Sequence, residues 1–190
     1  MATVLIRGKP VRFNEGDVVV TSSLRVRRPV TLLLHIANRG VGTHVATVVR
    51  HQGEIVVVGV SHFSWTDSTG HVWPGGGLTR EPLALFEDPK YDHVSICRPH
   101  VPRTSEQVLK LRVAVDLLLK TFGTDTPVYD GYREFLHSGL GWDQATVDKW
   151  HCVEMAAILA KIQGAWPEGQ TPSTDIGGLV ENLGTLEQVF

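Results

Sequence analysis

The chain is poor in cysteine, with 2 in 190 residues, and poor in aromatics, at 7%. Two thiols do not make the disulfide framework of a small secreted scaffold, so free thiols in a reducing compartment are expected. No apolar run approaches the roughly 18 residues that a membrane-spanning helix needs, and integral membrane contact is not expected. The N-terminus lacks a basic segment, a long apolar stretch and a small-residue cleavage site, so no signal peptide is read. Charge of one sign is also lacking. The net charge is −2, which gives no nucleic-acid footprint. The one basic cluster, Arg25-Val26-Arg27-Arg28, reads as a solvated loop. A cytoplasmic location is expected, with a viral particle as the alternative.

Chemical motifs are missing too. The glycines at 75–77 are not followed by the Gly-Lys-Ser/Thr of a phosphate-binding loop. No Gly-x-Ser-x-Gly elbow is present, and no carboxylate pair argues for glycosidase chemistry. Cys97, His100 and His151 invite a metal reading. They lack the paired short spacing of zinc ligands, so neither metal nor cofactor is expected. Repeats, coiled-coil heptads and low-complexity segments are absent as well.

What is present is a 190-residue chain with 42% hydrophobic and 20% charged residues, which suits a single α+β domain. β-Branched runs predict strands over 17–21, 44–50 and 54–60, the last two joined at His51-Gln52-Gly53, and further strands over 82–86 and 92–98. A short helix is predicted over 29–38, with Pro29 in its first turn. Residues 65–79, carrying Trp65 and Trp73, read as a loop. Thr104-Ser105-Glu106-Gln107 is a capping-box pattern. Val108, Leu111, Val115, Leu118, Leu119 and Phe122 follow at helical spacing, and Gly123 sits where a C′ glycine belongs. A last helix carries Cys152 and ends near Gly164; the pattern leaves its start open between Asp143 and Cys152. The core spans about 15–165, and 166–190 is expected to wrap the surface.

Cys152 and His44 are the candidate reactive pair. A thiol attacks a carbonyl as the thiolate, and a helix N-terminus and a neighbouring imidazolium both stabilise that form. Cys152 opens an apolar helical run, and His44 opens a strand. His44 would take the thiol proton and then protonate the leaving group. Taken alone, Cys152 is better read as a buried structural thiol. Cys97, in an apolar strand run with no helix dipole, is the weaker nucleophile. His151 is a poor base for Cys152, because adjacent helix positions diverge by about 100°.

The order of motifs raises the reading of Cys152. Gly16-Asp17-Val18-Val19-Val20, Thr43-His44-Val45-Ala46, Gly53-Glu54-Ile55-Val56-Val57-Val58, Leu83-Ala84-Leu85-Phe86, Val94-Ser95-Ile96-Cys97-Arg98-Pro99, Val128-Tyr129-Asp130, Trp150-His151-Cys152-Val153-Glu154-Met155 and Thr171-Pro172 follow one another. Together they resemble the permuted papain-like hydrolases, the circularly permuted branch of the NlpC-type family typified by YiiX-like proteins, over about residues 15–175. The resemblance implies a small antiparallel barrel-like sheet packed against helices. It also implies Cys152 as nucleophile, His44 as base, and amide bonds of peptides, including cell-wall peptides, or lipid acyl bonds as substrates. Val153 stands where serine is common. The family's third polar residue, often glutamate, falls near Val58 or Gly59, and neither can orient an imidazole. In a tight hairpin Ser61 and His62 lie opposite His44, so His62 is the expected substitute, with Ser61 behind it. The gap also motivates the alternative of a catalytically inactive structural or binding member within a larger assembly.

Overall fold

The computed structural model describes residues 1–23, 29–61, 64–73, 75–122, 151–168 and 175–190. Its centre is an antiparallel six-stranded sheet in the order β10-β9-β3-β4-β5-β8. These strands are β3 (Val18–Ser22), β4 (His44–His51), β5 (Glu54–Ser61), β8 (Gly77–Pro82), β9 (His93–Pro99) and β10 (Gly184–Gln188). The architecture is α+β as expected. Among the described residues the sheet is open, not closed into a barrel: β10 and β8 form its two edges.

Strand alternation sorts the side chains onto two faces. One face carries Val18, Val20, Val45 and Cys97, which cluster with residues of helices α3 (Cys152–Ile162) and α4 (Ile176–Leu183). Further across, Val49, Val56, Val58, Val60 and Leu78 meet Leu111 and Val115 of helix α2 (Ser105–Thr121) and Met155 and Leu159 of α3. The opposite face carries Val19, Ala46, Val48, Val57, Val94 and Ile96. It is covered by Ile6, Val11 and Phe13 of a hairpin, β1 (Ala2–Ile6) and β2 (Lys9–Phe13), and by Leu83, Leu85, Phe86 and Tyr91. The sheet is therefore buried on both faces, which is why its strands read as nearly continuous valine runs rather than as alternating patterns.

Local signals act as their chemistry requires. β4 and β5 join at Gln52-Gly53, both at positive φ (51° and 86°), with His51 paired to Glu54. That is the backbone of a two-residue hairpin turn whose twist matches the strands. Thr104 Oγ1 caps α2 by accepting from the Gln107 backbone N–H at 3.2 Å, and the Thr104 backbone N–H donates to Gln107 Oε1 at 2.8 Å. Helix α1 (Pro29–Ala37) lies where a helix was expected.

Three expectations need correction. The apolar run 82–86 is not a strand: Leu83–Glu87 form a 3-10 turn that follows β8. β8 itself begins inside the segment read as a loop. The rest of that segment contains two short paired strands, β6 (Trp65–Thr66) and β7 (Val72–Trp73). Finally, the tail does more than wrap the surface. Asp175 caps α4 by accepting from the Gly178 amide at 2.7 Å, and β10 then joins the sheet against β9.

Candidate active site

Cys152 is the first residue of α3, with His151 as N-cap. This settles the start of the helix within the described residues. The first amides of a helix have no partner inside it, and the aligned peptide dipoles leave partial positive charge there. The thiol is 2% exposed, in a cluster with Val18, Val20 and Val45.

The direction of α3 follows from its other end. Just past its C-terminus, the Gln163 side-chain amide donates to the Gly16 carbonyl at 3.5 Å, immediately ahead of β3. A helix of 11 residues is about 16 Å long, close to the length of a five-residue strand. Cys152 therefore lies toward the Thr21–Ser22 end of β3. His44 is at that same end, because it pairs with Thr21. The bond from the Thr43 amide to the Thr21 carbonyl, at 2.8 Å, closes the ladder there.

The rows define which way each residue faces. Val45 pairs with Val20, and both cluster with Cys152. Thr21, the partner of His44, pairs on its other side with Val94 of the hairpin face. His44, half-buried, thus starts β4 in a row that alternates away from α3. A thiol–imidazole contact would have to run around the end of the sheet, not across its face.

The other residues singled out in the sequence fall variously. His62, Tyr129, Asp130, Trp150, Thr171 and Pro172 lie outside the described residues. Ser61 ends β5 and pairs with Gly77. The β4–β5 register, Thr47 with Val58, places Ser61 opposite His44 when carried three residues on. Cys97 is fully buried on the helix face of β9. Burial, reinforced by the Asp17 carboxylate, pushes its thiol up to about 12. Among the described residues no group of three or more His, Cys, Asp or Glu is placed to hold a metal ion. No helix among them is long and apolar enough to cross a membrane.

Two polar pairs on the helix face escaped the sequence reading. Buried Ser95 and half-buried His93 meet at 2.9 Å, Oγ to Nε2. Ser22, paired with His93 across the strands, lies 3.4 Å from His35 Nδ1 of α1. The available signal was parity: Ser22, His93 and Ser95 fall on the face of Val20 and Val45 once the register is known.

The described residues form an α+β domain with an open antiparallel sheet, a cysteine at a helix N-terminus and a histidine opening β4. No family model and no curated protein matches the chain. Its fold is similar to a solved structure, that of metalloprotein yiiX (DUF1105) from Escherichia coli O157:H7. The TM-score is 0.54 at 14% identity, over 93% of this chain and 96% of that one. At that identity the likeness speaks to the fold alone.

Proposed function

We propose that the protein is a thiol hydrolase of the permuted papain-like type that cleaves an amide bond through an acyl-enzyme on Cys152. The observation that carries this reading is that α3 begins at Cys152; the span of α3 back from the Gln163–Gly16 bond favours the strand end that His44 opens. In the first step the Cys152 thiolate attacks the carbonyl carbon, and the Cys152 backbone N–H faces the developing oxyanion. The tetrahedral intermediate collapses to a thioester as the His44 imidazolium gives its proton to the leaving amine. Neutral His44 then deprotonates a water that attacks the thioester. The products are a carboxylate and the regenerated thiolate–imidazolium pair. Peptides, including cell-wall peptides, are the substrate class that the resemblance favours. A lipid acyl bond would undergo the same two steps, with an alcohol as leaving group.

Labelling with iodoacetamide tests the mechanism. Cys152 should react at pH 6–7, and His44→Ala should slow that reaction about tenfold, as loss of one pKa unit of thiolate stabilisation implies. A Cys152 that is inert in this range, or indifferent to His44→Ala, rejects it. The nearly complete burial of Cys152 and the row assignment of His44 favour one second reading: a member that keeps the fold as a structural or binding component without turnover. Inert Cys152 in a folded protein is the outcome that reading requires.

A further inference from the structure

Helix α2 carries two apolar stripes. Leu111 and Val115 pack on the sheet and are fully buried, as the covering face of an amphipathic helix requires. Leu109, Val113 and Leu117 are instead 56%, 60% and 64% exposed. At about 100° per residue, Val113 lies about 160° round the helix from both Leu111 and Val115, so the second stripe faces outward. A helix that only covers a sheet carries polar residues on that side.

The charges at the ends of the stripe are arranged about Val113. Glu106 precedes it by two turns and Lys120 follows it by two turns, each within about 20° of its direction. Leu109 and Leu117 stand one turn to either side, about 40° off it. The Glu106 and Lys120 side chains are 74% and 76% exposed. Their partners within the helix, Lys110 at 2.8 Å and Asp116 at 3.8 Å, point about 60° away from the stripe. Along the stripe the order is Glu106, Leu109, Val113, Leu117, Lys120. Set against its own reverse, this series puts apolar on apolar and opposite charge on opposite charge. Set parallel, it puts Glu106 on Glu106 and Lys120 on Lys120.

We propose that α2 is a self-association surface: two copies of this chain pair their α2 helices antiparallel about a two-fold axis at Val113. Leu109 of each copy meets Leu117 of the other, and Glu106 of each meets Lys120 of the other. A two-fold interface needs a self-complementary patch, and the charge order makes this stripe one. The patch is one helix wide, so the interface falls below about 1,200 Å² and the dimer is weak and concentration-dependent. α2 meets the sheet through its other side, so pairing leaves the core untouched, and the inference does not depend on the hydrolase reading.

Sedimentation equilibrium of the full chain from about 5 to about 500 µM tests it. The mean mass should rise with concentration from 20.9 kDa toward twice that value. Val113→Lys sets two like charges against each other on the axis and should weaken association at least about a hundredfold. Glu106→Lys and Lys120→Glu each place like charges at both ends of the seam and should weaken it on the order of tenfold. The double variant Glu106→Lys/Lys120→Glu reverses every pair and should restore it. All four changes are at exposed positions, and circular dichroism checks that each variant is folded. Val113→Cys gives a reading that needs no charge change: mild oxidation should join two copies through position 113, located by peptide mass mapping, with the wild-type chain as control. A chain that stays monomeric throughout the range overturns the proposal and leaves the stripe to a partner of different sequence. A dimer indifferent to Val113→Lys, or one that the double variant fails to restore, overturns it as well.

Discussion

At the residue scale the two thiols show how position decides chemistry. Both are buried in one cluster. Cys97 sits mid-strand with the Asp17 carboxylate nearby, and both burial and that charge hold it protonated. Cys152 sits in the first turn of α3, at the positive end of the helix dipole. Iodoacetamide at pH 7–8.5 should therefore leave Cys97 unmodified in the folded protein and modify it only after unfolding, as peptide mass mapping would show. Native-state labelling of Cys97 would contradict its placement. That Cys152 belongs to a helix and Cys97 to a strand was legible in the sequence, because an apolar helical run follows one and a β-branched run surrounds the other. The Ser95–His93 and Ser22–His35 pairs were not legible. They depend on which residues stand opposite each other across strands, and the register of β3 against β9 joins segments that no short turn connects.

At the element scale, legibility follows locality. The Gln52-Gly53 turn and the Thr104–Gln107 box are complete within four residues, and both form as read. The run at 82–86 is apolar because Leu83, Leu85 and Phe86 plug the hairpin face of the sheet. A 3-10 turn can bury such residues as well as a strand can, so hydrophobicity alone misassigned it. β10 was hidden for another reason. As an edge strand with Thr185, Glu187 and Gln188 exposed it has little apolar signature, and only pairing with β9 makes it a strand. The cap offers a clean test. Thr104→Ala removes the acceptor for the Gln107 amide and should lower stability by about 1 kcal/mol, as a reduced urea midpoint with unchanged slope. Thr104→Asp, which keeps an acceptor and places negative charge at the helix N-terminus, should recover most of that loss.

At the scale of the whole molecule, two buried carboxylates just ahead of β3 tie α2, β9 and β4 together. Asp17, fully buried ahead of β3, accepts from Arg98 of β9 at 2.8 Å and from Arg103 ahead of α2 at 2.9 Å. Gly16 beside it has φ +84°, and a Cβ there would fall 2.4 Å from the Arg103 guanidinium and 2.1 Å from Gln163 Oε1. The Gly-Asp pair thus has a packing role independent of any chemistry. Asp17→Asn leaves two guanidiniums facing a neutral amide and should cost about 3–5 kcal/mol, a large part of the stability of a domain this size. Equilibrium denaturation would read it, and a loss under 1 kcal/mol would refute the tie.

Glu15 makes the second tie, and it carries a pH signature. Burial raises its pKa, but the forked bond to Arg112, Nε and Nη2 both at 2.7 Å, with the Arg112 charge and the Arg50 amide, outweighs burial and holds the carboxyl below its ordinary value. A carboxyl with a lowered folded-state pKa stabilises the fold above its unfolded value near 4.5, and that contribution is lost as pH falls through the folded value. Glu15→Gln should therefore destabilise by about 1.5–3 kcal/mol at pH 7, the range for hydrogen bonds to charged groups. The difference from wild type should shrink steadily below pH 4.5. Because Asp88 is also held low by the amides of Lys90 and Ser68 against the pull of burial, the wild-type curve alone does not isolate Glu15. The gap between the two urea midpoints, followed from pH 7 to pH 3, does. A gap that stays constant with pH would show that the Glu15–Arg112 fork contributes packing without charge. Arg112 reaches Glu15 from the middle of α2, so closing the gap by acid loosens the helix that covers β4 and β5, on the flank of α3 away from α4.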